Sequence, residues 1–408
     1  MDKVHIVIAG RRNAGKSSLI NCILGQEKAV VSAVAGTTTD PVKKSYEIPG
    51  VASVVFIDTP GIDDEGTLGE LRIEKTHEAL LQADAAILVI SNNQFGEYEE
   101  KLIHQFQALG QAFILLHNKS EQEDPTPELQ QHIREAYHKE LLSFSTVEPD
   151  RELLMQSIIQ LVGTPEKRSL LGSLIQPGQL IMLVTPIDSE APTGRMILPQ
   201  VQMLRDILDN RCMSIVLQPE EIPAFFERSP LRPDLVVTDS QAFGKVAPLV
   251  PADIPLTSFS IVFAHFKGNF PKYLEGTHQI AKLQDGDRIL MLESCSHHVS
   301  CEDIGRHKIP MMLQKRTGKS LEFDFVAGLD RINRPFTDYA LIIQCGGCMV
   351  TARQLRNRLQ PAIDAGIPVS NYGMTLAWLQ GIFPRATEPF SSINSQSAYP
   401  TPSPQNQK

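Results

Sequence analysis

The 408-residue sequence lacks the features that would place it in a membrane or on nucleic acid. No apolar run reaches the roughly 18 residues that cross a bilayer. Lys and Arg number 38 against 47 Asp and Glu, so the net charge is -9 and the basic footprint of a nucleic-acid-binding protein is missing. We also expect no signal peptide, because residues 4–9 near the start of the sequence already form an apolar strand. We therefore expect a cytoplasmic protein that binds neither membrane nor nucleic acid, with its six cysteines reduced.

A phosphate-binding motif follows the first apolar strand. Residues 10–17 read Gly-Arg-Arg-Asn-Ala-Gly-Lys-Ser, a complete G-x-x-x-x-G-K-S loop. The backbone N–H groups of such a loop wrap phosphate oxygens, Lys16 reaches the β- and γ-phosphates, and the Ser17 hydroxyl binds Mg²⁺. A helix expected after the loop adds its positive N-terminal end to the same anion. The predicted nucleotide contacts here are Gly10, Asn13, Ala14, Gly15, Lys16, Ser17 and Ser18.

A second apolar strand, over residues 54–57, ends in Asp58-Thr59-Pro60-Gly61. Asp58 at this strand end can hold the water shell of Mg²⁺, and the Gly61 N–H can face the γ-phosphate. Residue 62 is Ile, where Ras-like enzymes carry a water-orienting Gln. No side chain here is an obvious water positioner, so we expect slow intrinsic hydrolysis.

The identity of the base is predicted from the segment after a third strand, over residues 112–116. This segment reads Asn118-Lys119-Ser120-Glu121, where GTPases carry Asn-Lys-x-Asp. In that pattern the carboxylate accepts hydrogen bonds from guanine N1–H and N2–H. Glu121 keeps the carboxylate but is one methylene longer, so GTP and GDP are the expected ligands and the strength of guanine selectivity stays open.

A Thr-rich segment between the phosphate loop and Asp58 is typical of a loop that senses the γ-phosphate. Thr38 is the predicted Mg²⁺ ligand because it matches a Gly-Thr-Thr-x-Asp pattern, and its neighbours Thr37 and Thr39 remain alternatives. Together with Lys16 and Gly61, Thr38 makes up the predicted catalytic set.

Strands alternate with helices through the rest of the chain, which predicts parallel sheets. The expected fold class is α/β: a P-loop GTPase domain over residues 1–168, followed by two smaller parallel-sheet domains over 176–266 and 270–385. The first of these is expected to serve dimerisation and to end in a strand over Ser258–Phe263. Residues 386–408, rich in Ser, Pro, Gln and Asn, are expected to be a disordered tail.

Two groups of thiols and imidazoles lie just past predicted strand ends of the last domain. Cys295-Ser296-His297 follows one strand and Cys345-Gly346-Gly347-Cys348 follows another, so parallel pairing would bring them to one edge. By spacing alone, a Cys₃His zinc site and an iron–sulfur cluster held by three cysteines are equally supported, while a disulfide and buried free thiols remain alternatives. His298 could replace His297, and Cys301 is expected to be a core or surface thiol. Cys22 and Cys212 are expected to be structural.

The N-terminal motifs resemble the Era-like branch of GTPases over about residues 1–165. In that branch an Asn at the place of Asn13 marks potassium-assisted hydrolysis, so K⁺ is an implied cofactor. The C-terminal region adds a Cys-x-His motif and, after a long gap, a Cys-x-x-Cys motif. With these motifs, almost the whole chain resembles the GTPases that mature iron-only (FeFe) hydrogenases. The resemblance implies a 4Fe-4S cluster on Cys295, Cys345 and Cys348, with His297 or an exchangeable ligand in the fourth position. The family usually has His before the Cys-x-x-Cys, where this chain has Gln344.

The function implied by the resemblance is that of a scaffold and carrier, expected to be a homodimer. It would receive a diiron subcluster from radical-SAM maturases and deliver it to the FeFe-hydrogenase apoprotein, with GTP hydrolysis regulating the exchange of partners. The alternative is an Era-like GTPase in RNA modification or ribosome assembly with a zinc-stabilised C-terminal domain. The sequence leaves open how GTP couples to transfer and whether dimer or tetramer predominates.

Overall fold

The structure is a computed structural model that describes residues 3–25, 41–48, 51–61, 67–163, 169–187, 194–294, 303–348 and 350–391. The chain divides into two compact units, Met1–Lys167 and Arg168–Lys408. No helix within the described ranges is both long and apolar enough to cross a membrane.

The first unit is built around a six-stranded sheet with the order β2-β3-β1-β4-β5-β6. All neighbouring pairs are parallel except β2 with β3. Its elements are β1 Val4–Gly10, α1 Lys16–Leu24, β2 Val42–Ile48, β3 Ala52–Asp58, α2 Thr67–Gln82, β4 Ala85–Ile90, α3 Glu97–Ala108, β5 Ala112–His117, α4 Pro127–Tyr137, β6 Leu141–Ser143 and α5 Arg151–Val162.

Helices cover both faces of this sheet, which explains why its central strands are apolar throughout. Every residue of β4 is buried. Successive residues of β1 contribute to different apolar clusters: Ile6 and Ile8 pack with α1 and α5, while Val7 and Ala9 pack with α2 and α3. Strands buried on both faces are typical of parallel sheets, so the predicted α/β fold of this unit is confirmed.

The second unit contains two four-stranded sheets, and every neighbouring strand pair in them is parallel. The first sheet has the order β10-β9-β7-β8 and the second β12-β11-β13-β14. The elements are β7 Leu180–Val184, α6 Leu198–Asp209, β8 Met213–Leu217, α7 Ile222–Arg228, β9 Leu235–Thr238, α8 Phe243–Val246, β10 Leu256–Ser258, α9 Phe259–Lys267, α10 Phe270–His278, β11 Arg288–Leu292, α11 Ile309–Thr317, β12 Glu322–Val326, β13 Leu341–Gln344, α12 Ala352–Asp364, β14 Val369–Asn371, α13 Tyr372–Leu379 and α14 Phe383–Thr387.

One apolar core cluster joins the two sheets of this unit. It contains Val184 and Val237 from the first sheet and Leu290 and Ile342 from the second. The two predicted parallel-sheet regions are therefore confirmed as α/β structure. Their separation into domains 176–266 and 270–385 stays a prediction, because the two sheets share this core.

The prediction of a strand over Ser258–Phe263 is wrong for every residue after Ser258. The strand ends at Ser258, whose hydroxyl caps α9 by accepting a hydrogen bond from the Ile261 N–H at 3.3 Å. Four of the first five residues of α9 are buried. A short, uniformly apolar run has no periodicity that separates a buried helix from a buried strand, which is the physical reason for the error.

The tail predicted over residues 386–408 begins too early. Residues 386 and 387 complete α14, and Glu388–Phe390 forms a short 3₁₀ turn. Phe390 is fully buried, with its ring centroid 4.8 Å from that of Phe270. Arg385 donates hydrogen bonds to four backbone carbonyls in the segment 247–254. Residues 392–408 lie outside the described residues.

Replacing Phe390 by Ala tests this anchoring of the C-terminal segment. Removing a fully buried ring should lower the free energy of unfolding of the second unit by about 3–5 kcal/mol. Urea unfolding followed by the fluorescence of Trp378, the single tryptophan of the chain, reports on this unit specifically.

The control is Met311→Ala, which truncates a side chain that is 62% exposed in the same unit. We expect it to change stability by less than about 0.5 kcal/mol. An unfolding midpoint of Phe390→Ala equal to that of Met311→Ala would contradict a folded end of the chain at residue 391.

Candidate functional site

The phosphate loop of the first unit depends on two glycines with positive φ. Gly10 has φ of 148° and Gly15 has φ of 92°. A Cβ on Gly10 would lie 2.3 Å from the Val89 carbonyl oxygen, and one on Gly15 would lie 2.1 Å from Asn118 Nδ2. The loop can therefore approach its neighbours this closely only where side chains are absent. Asn13, at φ of 59°, adopts the left-handed conformation that Asn tolerates.

Lys16, the first residue of α1, is held beneath this loop. Its ammonium donates to the carbonyl oxygens of Gly10 and Arg11 at 3.0 and 2.8 Å, and the residue is buried. A buried ammonium among carbonyls has its charge partly compensated but not neutralised. The predicted contact of Lys16 with the β- and γ-phosphates stays a prediction.

The predicted Mg²⁺ residues Ser17 and Asp58 lie together. Ser17 Oγ is 2.5 Å from Asp58 Oδ2, and Asp58 Oδ1 is buried with no hydrogen-bond partner among the described residues. Burial raises the pKa of the Asp58 carboxyl, against the opposing effects of Ser17 and Lys16. A buried carboxylate oxygen and a serine hydroxyl are hard oxygen donors that fit a hydrated Mg²⁺. Thr38 and its neighbours lie outside the described residues, so their role stays a prediction.

Gly61 passes close to the phosphate loop. A Cβ at this position would lie 2.6 Å from Arg12 Cα, so only glycine permits the approach. Its proposed contact with the γ-phosphate stays a prediction.

The residues predicted to recognise guanine follow β5 at the same edge of the sheet. Asn118 is fully buried, and its Nδ2 donates to the Ala14 carbonyl at 2.9 Å, which ties this segment to the phosphate loop. Lys119 has φ of 66°. A hydrogen bond from Ser145 lowers the pKa of the Glu121 carboxyl, so the carboxylate is the favoured form. The sequence around Ser145 is too degenerate to predict a role in guanine recognition, but the structure places this residue, two positions past β6, beside Glu121.

In the second unit, the strands β11 and β13 are neighbours, and the residues that follow them meet. Cys345 N–H donates to the Leu292 carbonyl at 2.9 Å. Ser294 N–H points at Cys345 Sγ at 3.0 Å, and the Ser294 hydroxyl lies 2.9 Å from the same sulfur. Ser294 thus contributes two polar groups around Cys345 Sγ: its N–H donates to the sulfur, and its hydroxyl oxygen accepts from the thiol.

Gln344 and Arg358 complete the surroundings of this thiol. Gln344 is fully buried, and its Nε2 lies 3.6 Å from Cys345 Sγ and 2.9 Å from Ser294 Oγ. The amide nitrogen, rather than the amide oxygen, therefore faces the sulfur. Burial lowers the pKa of the Arg358 guanidinium, and the negative charge on Cys345 opposes that shift.

The turn that carries Cys348 is held by a buried lysine. Lys267 of α9 donates to the carbonyls of Gly347 and Val350 at 3.1 and 2.8 Å, and Gly347 has φ of 72°. The predicted Cys295, His297, His298 and Cys301 lie outside the described residues. Within the ranges that are described, no group of three His, Cys, Asp or Glu residues is placed to hold a metal. The structure thus places two of the four predicted metal ligands, Cys345 and Cys348, on one cavity.

That cavity has a volume of about 1210 Å³ and was missed by the sequence analysis. Residues immediately after four strands of the two sheets line it: Gln218 after β8, Asp239 after β9, Glu293 after β11 and Cys345 after β13. Ligands of parallel α/β sheets bind at the carboxyl ends of strands. The cavity also receives the cationic side chains Arg195, Lys245 and Lys308.

Three family models match the chain. The Hydrogen maturase F dimerization domain matches residues 170–268, and the Hydrogen maturase F tetramerization domain matches residues 271–389. The model described as 50S ribosome-binding GTPase matches residues 5–119.

Curated relatives match only the GTPase unit. GTPase Der from Wolinella succinogenes is 40% identical over 121 residues, which are 29% of this chain and 26% of the relative. The tRNA modification GTPase MnmE from a Psychrobacter species is 43% identical over 94 residues, which are 23% of this chain and 20% of the relative. The chain thus spans well under a third of the length of these relatives.

Solved structures with a similar fold include Era from Aquifex aeolicus bound to GDP.AlF4-, with 21% identity and a TM-score of 0.35, covering 53% of this chain and 93% of that chain. The G domain of the FeoB iron transporter from T. maritima has 20% identity and a TM-score of 0.32, covering 40% of this chain and 99% of that chain.

Replacing Glu121 by Gln tests its predicted role in reading the base. An amide cannot accept both guanine N–H hydrogen bonds as a carboxylate does, and IDP lacks the exocyclic amine. We expect the ratio of GDP to IDP affinity to fall about tenfold, since hydrogen bonds to charged groups contribute about 1.5–3 kcal/mol. Titration with fluorescent nucleotide analogues measures the ratio. The control is Glu123→Gln, a nearby exposed carboxylate; an equal ratio in both variants would contradict the assignment.

Proposed function

Since the chain belongs to the hydrogen maturase F family, we propose that it is a GTP-binding scaffold that assembles and carries the active-site subcluster of FeFe hydrogenases. The observation that carries this proposal is the cavity of the second unit, with Cys345 and Cys348 in its wall. A carrier must combine ligands for a metal cofactor with room for a cargo, and this cavity offers both.

The cofactor in this proposal is a 4Fe-4S cluster held by Cys295, Cys345 and Cys348, with His297 or an exchangeable ligand in the fourth position. The surroundings of Cys345 fit a cluster thiolate, because Ser294 N–H and the Gln344 amide both point at its sulfur. Hydrogen bonds to cluster sulfurs are one means by which proteins set reduction potentials. When bound, such a cluster supplies an iron with an exchangeable coordination position. Gln344 acts here as a hydrogen-bond donor, which leaves that position to another ligand.

The cargo in this proposal is a diiron subcluster, received from radical-SAM maturases and delivered to the hydrogenase apoprotein. A volume of about 1210 Å³ exceeds the ~300–1,000 Å³ of usual small-molecule pockets, so a cluster and a cargo can share it. Arg195, Lys245 and Lys308 would attract an anionic cargo, while Asp239 and Glu293 limit the excess of positive charge. Glu293 is already engaged by Arg306 through two hydrogen bonds of 2.8 and 2.9 Å.

GTP binding and hydrolysis would regulate the exchange of partners rather than act on the cargo. Lys16, Ser17, Asp58 and Asn118 supply the phosphate, Mg²⁺ and base contacts, with Thr38 and Gly61 at the γ-phosphate. The lack of a water-orienting side chain at residue 62 supports a slow intrinsic rate. The chain carries dimerization and tetramerization domains, so we propose that it works as a homo-oligomer built on a homodimer.

The alternative, a GTPase in RNA modification or ribosome assembly, finds support only in the names of relatives that match the first unit. The net charge of -9 weighs against RNA as a partner, because phosphate contacts require clustered Lys and Arg. The second unit matches models of hydrogen maturase F instead.

Anaerobic reconstitution with iron and sulfide tests the cluster. We expect about four iron atoms per chain and an EPR signal after reduction with dithionite, both lost in Cys345→Ser. Cys22→Ser is the control, because Cys22 lies in α1 of the other unit. Stoichiometric zinc without a paramagnetic signal would instead support a zinc-stabilised domain.

The potassium proposal rests on Asn13 and is tested separately. GTP hydrolysis by the Mg²⁺-loaded protein should be slow in Na⁺ and faster in K⁺, and Asn13→Ala should remove the difference. Phosphate release at matched ionic strength measures both rates. Equal rates in the two salts would contradict potassium assistance and leave the scaffold proposal untouched.

A further inference from the structure

The segment that runs from the end of β4 into the first turn of α3, residues 91–99, contacts both halves of the nucleotide site. We infer that this segment, here called the brace, positions the phosphate loop through Glu99 and the base-recognition segment through Asn93. Arg11, Glu99 and Asn93 are thus positioning residues for nucleotide binding.

At the phosphate end, Glu99 holds the phosphate loop through Arg11. Arg11 Nε and Nη2 donate to the two carboxylate oxygens of Glu99 at 2.8 and 3.0 Å. Glu99 is almost fully buried, and it also accepts the Gly96 N–H at 2.9 Å. The Arg11 guanidinium lies over the Tyr98 ring, 5.1 Å from its centroid. A bidentate pair with one buried partner fixes geometry more strictly than an exposed pair does.

Lys16 also contacts this end of the phosphate loop, because its ammonium donates to the Arg11 carbonyl at 2.8 Å. The backbone of Arg11 is therefore fixed through its carbonyl by Lys16 and through its side chain by Glu99. Backbone N–H groups bind phosphate well only when their directions are set before the ligand arrives. The ion pair between Arg11 and Glu99 is placed to fix the directions of these N–H groups.

At the base end, Asn93 ties together the residues that surround guanine recognition. Its N–H donates to His117 Nε2 at 3.4 Å, and His117 directly precedes Asn118. Its Nδ2 donates to the Asp124 carbonyl at 3.1 Å, and its Oδ1 accepts the Thr126 N–H at 3.0 Å. These contacts bracket the loop that carries Glu121. Asn93 has φ of 51°, a conformation in which Asn is tolerated better than most residues.

Variants at the phosphate end separate positioning from simple stabilisation. Arg11→Lys keeps the charge and loses the bidentate geometry, so the affinities for GDP and IDP should fall together, by about tenfold, with their ratio unchanged. The exposed pair of Arg134 and Glu140 has the same two-bond geometry, at 3.0 and 2.8 Å, which makes Arg134→Lys the matched control. This control should bind both nucleotides as the wild type does.

A double-mutant cycle shows whether Arg11 and Glu99 act through one contact. Glu99→Gln should weaken binding as Arg11→Lys does, and the double variant should be no weaker than the worse single variant. If Glu99→Gln fails to fold, Arg11→Lys alone carries the test, because Arg11 is partly exposed. Wild-type nucleotide affinity in folded Arg11→Lys, or additive losses in the cycle, would overturn the phosphate end of the inference.

Variants at the base end of the brace should change the ratio of GDP to IDP affinity. Asn93→Ala should lower GDP affinity more than IDP affinity, so that their ratio falls about fivefold, as expected for the loss of about 1 kcal/mol of hydrogen bonding around Glu121. Asn92→Ala is the matched control, since Asn92 is exposed and shares the positive φ, at 55°. A ratio in Asn93→Ala equal to that in Asn92→Ala would overturn the base end.

Discussion

Parallel pairing of strands is the constraint on which both units of this protein depend. When neighbouring strands run in one direction, their carboxyl ends share an edge, and the loops that leave them must meet there. In the first unit this edge collects the phosphate loop, Asp58 and Asn118 from three different strands. In the second unit it collects Glu293 and Cys345. The two sites have different chemistry, but the same rule of chain direction builds them.

Buried and half-buried cations that donate to backbone carbonyls fix these loops and the end of the chain. Lys16 holds the phosphate loop, Lys267 holds the turn of Cys348, and Arg385 holds the C-terminal helix against the segment 247–254. Loop carbonyls that enter no sheet or helix must find donors when they are buried. A long cationic side chain satisfies two or more of them at once.

The brace and the cavity extend this logic over longer distances. Arg11 and Glu99 are 88 residues apart, and no local motif links them. They meet because β1 and β4 are neighbours in the sheet, so the loops that follow these strands are adjacent. The cavity of the second unit likewise requires two sheets whose strand ends open onto one space. Each feature is a product of strand order rather than of any single segment.

The sequence by itself determined the local elements of this protein. Spacing predicted the phosphate loop, the Asp58 and Asn118 strand ends, and the thiol pair at residues 345 and 348, because each is a short motif attached to one strand. Prediction from the sequence failed where an apolar run had no helical or strand periodicity, as in the run from Phe259. It also failed where residues distant in sequence bury a side chain, as they do for Phe390.

Only the tertiary structure decided which separate segments meet. It placed Ser294 and Gln344 around Cys345, Ser145 beside Glu121, and Glu99 against Arg11. Apart from the contact between the adjacent Gln344 and Cys345, these contacts join residues tens of positions apart, and they depend on strand order, which local patterns of polarity do not encode.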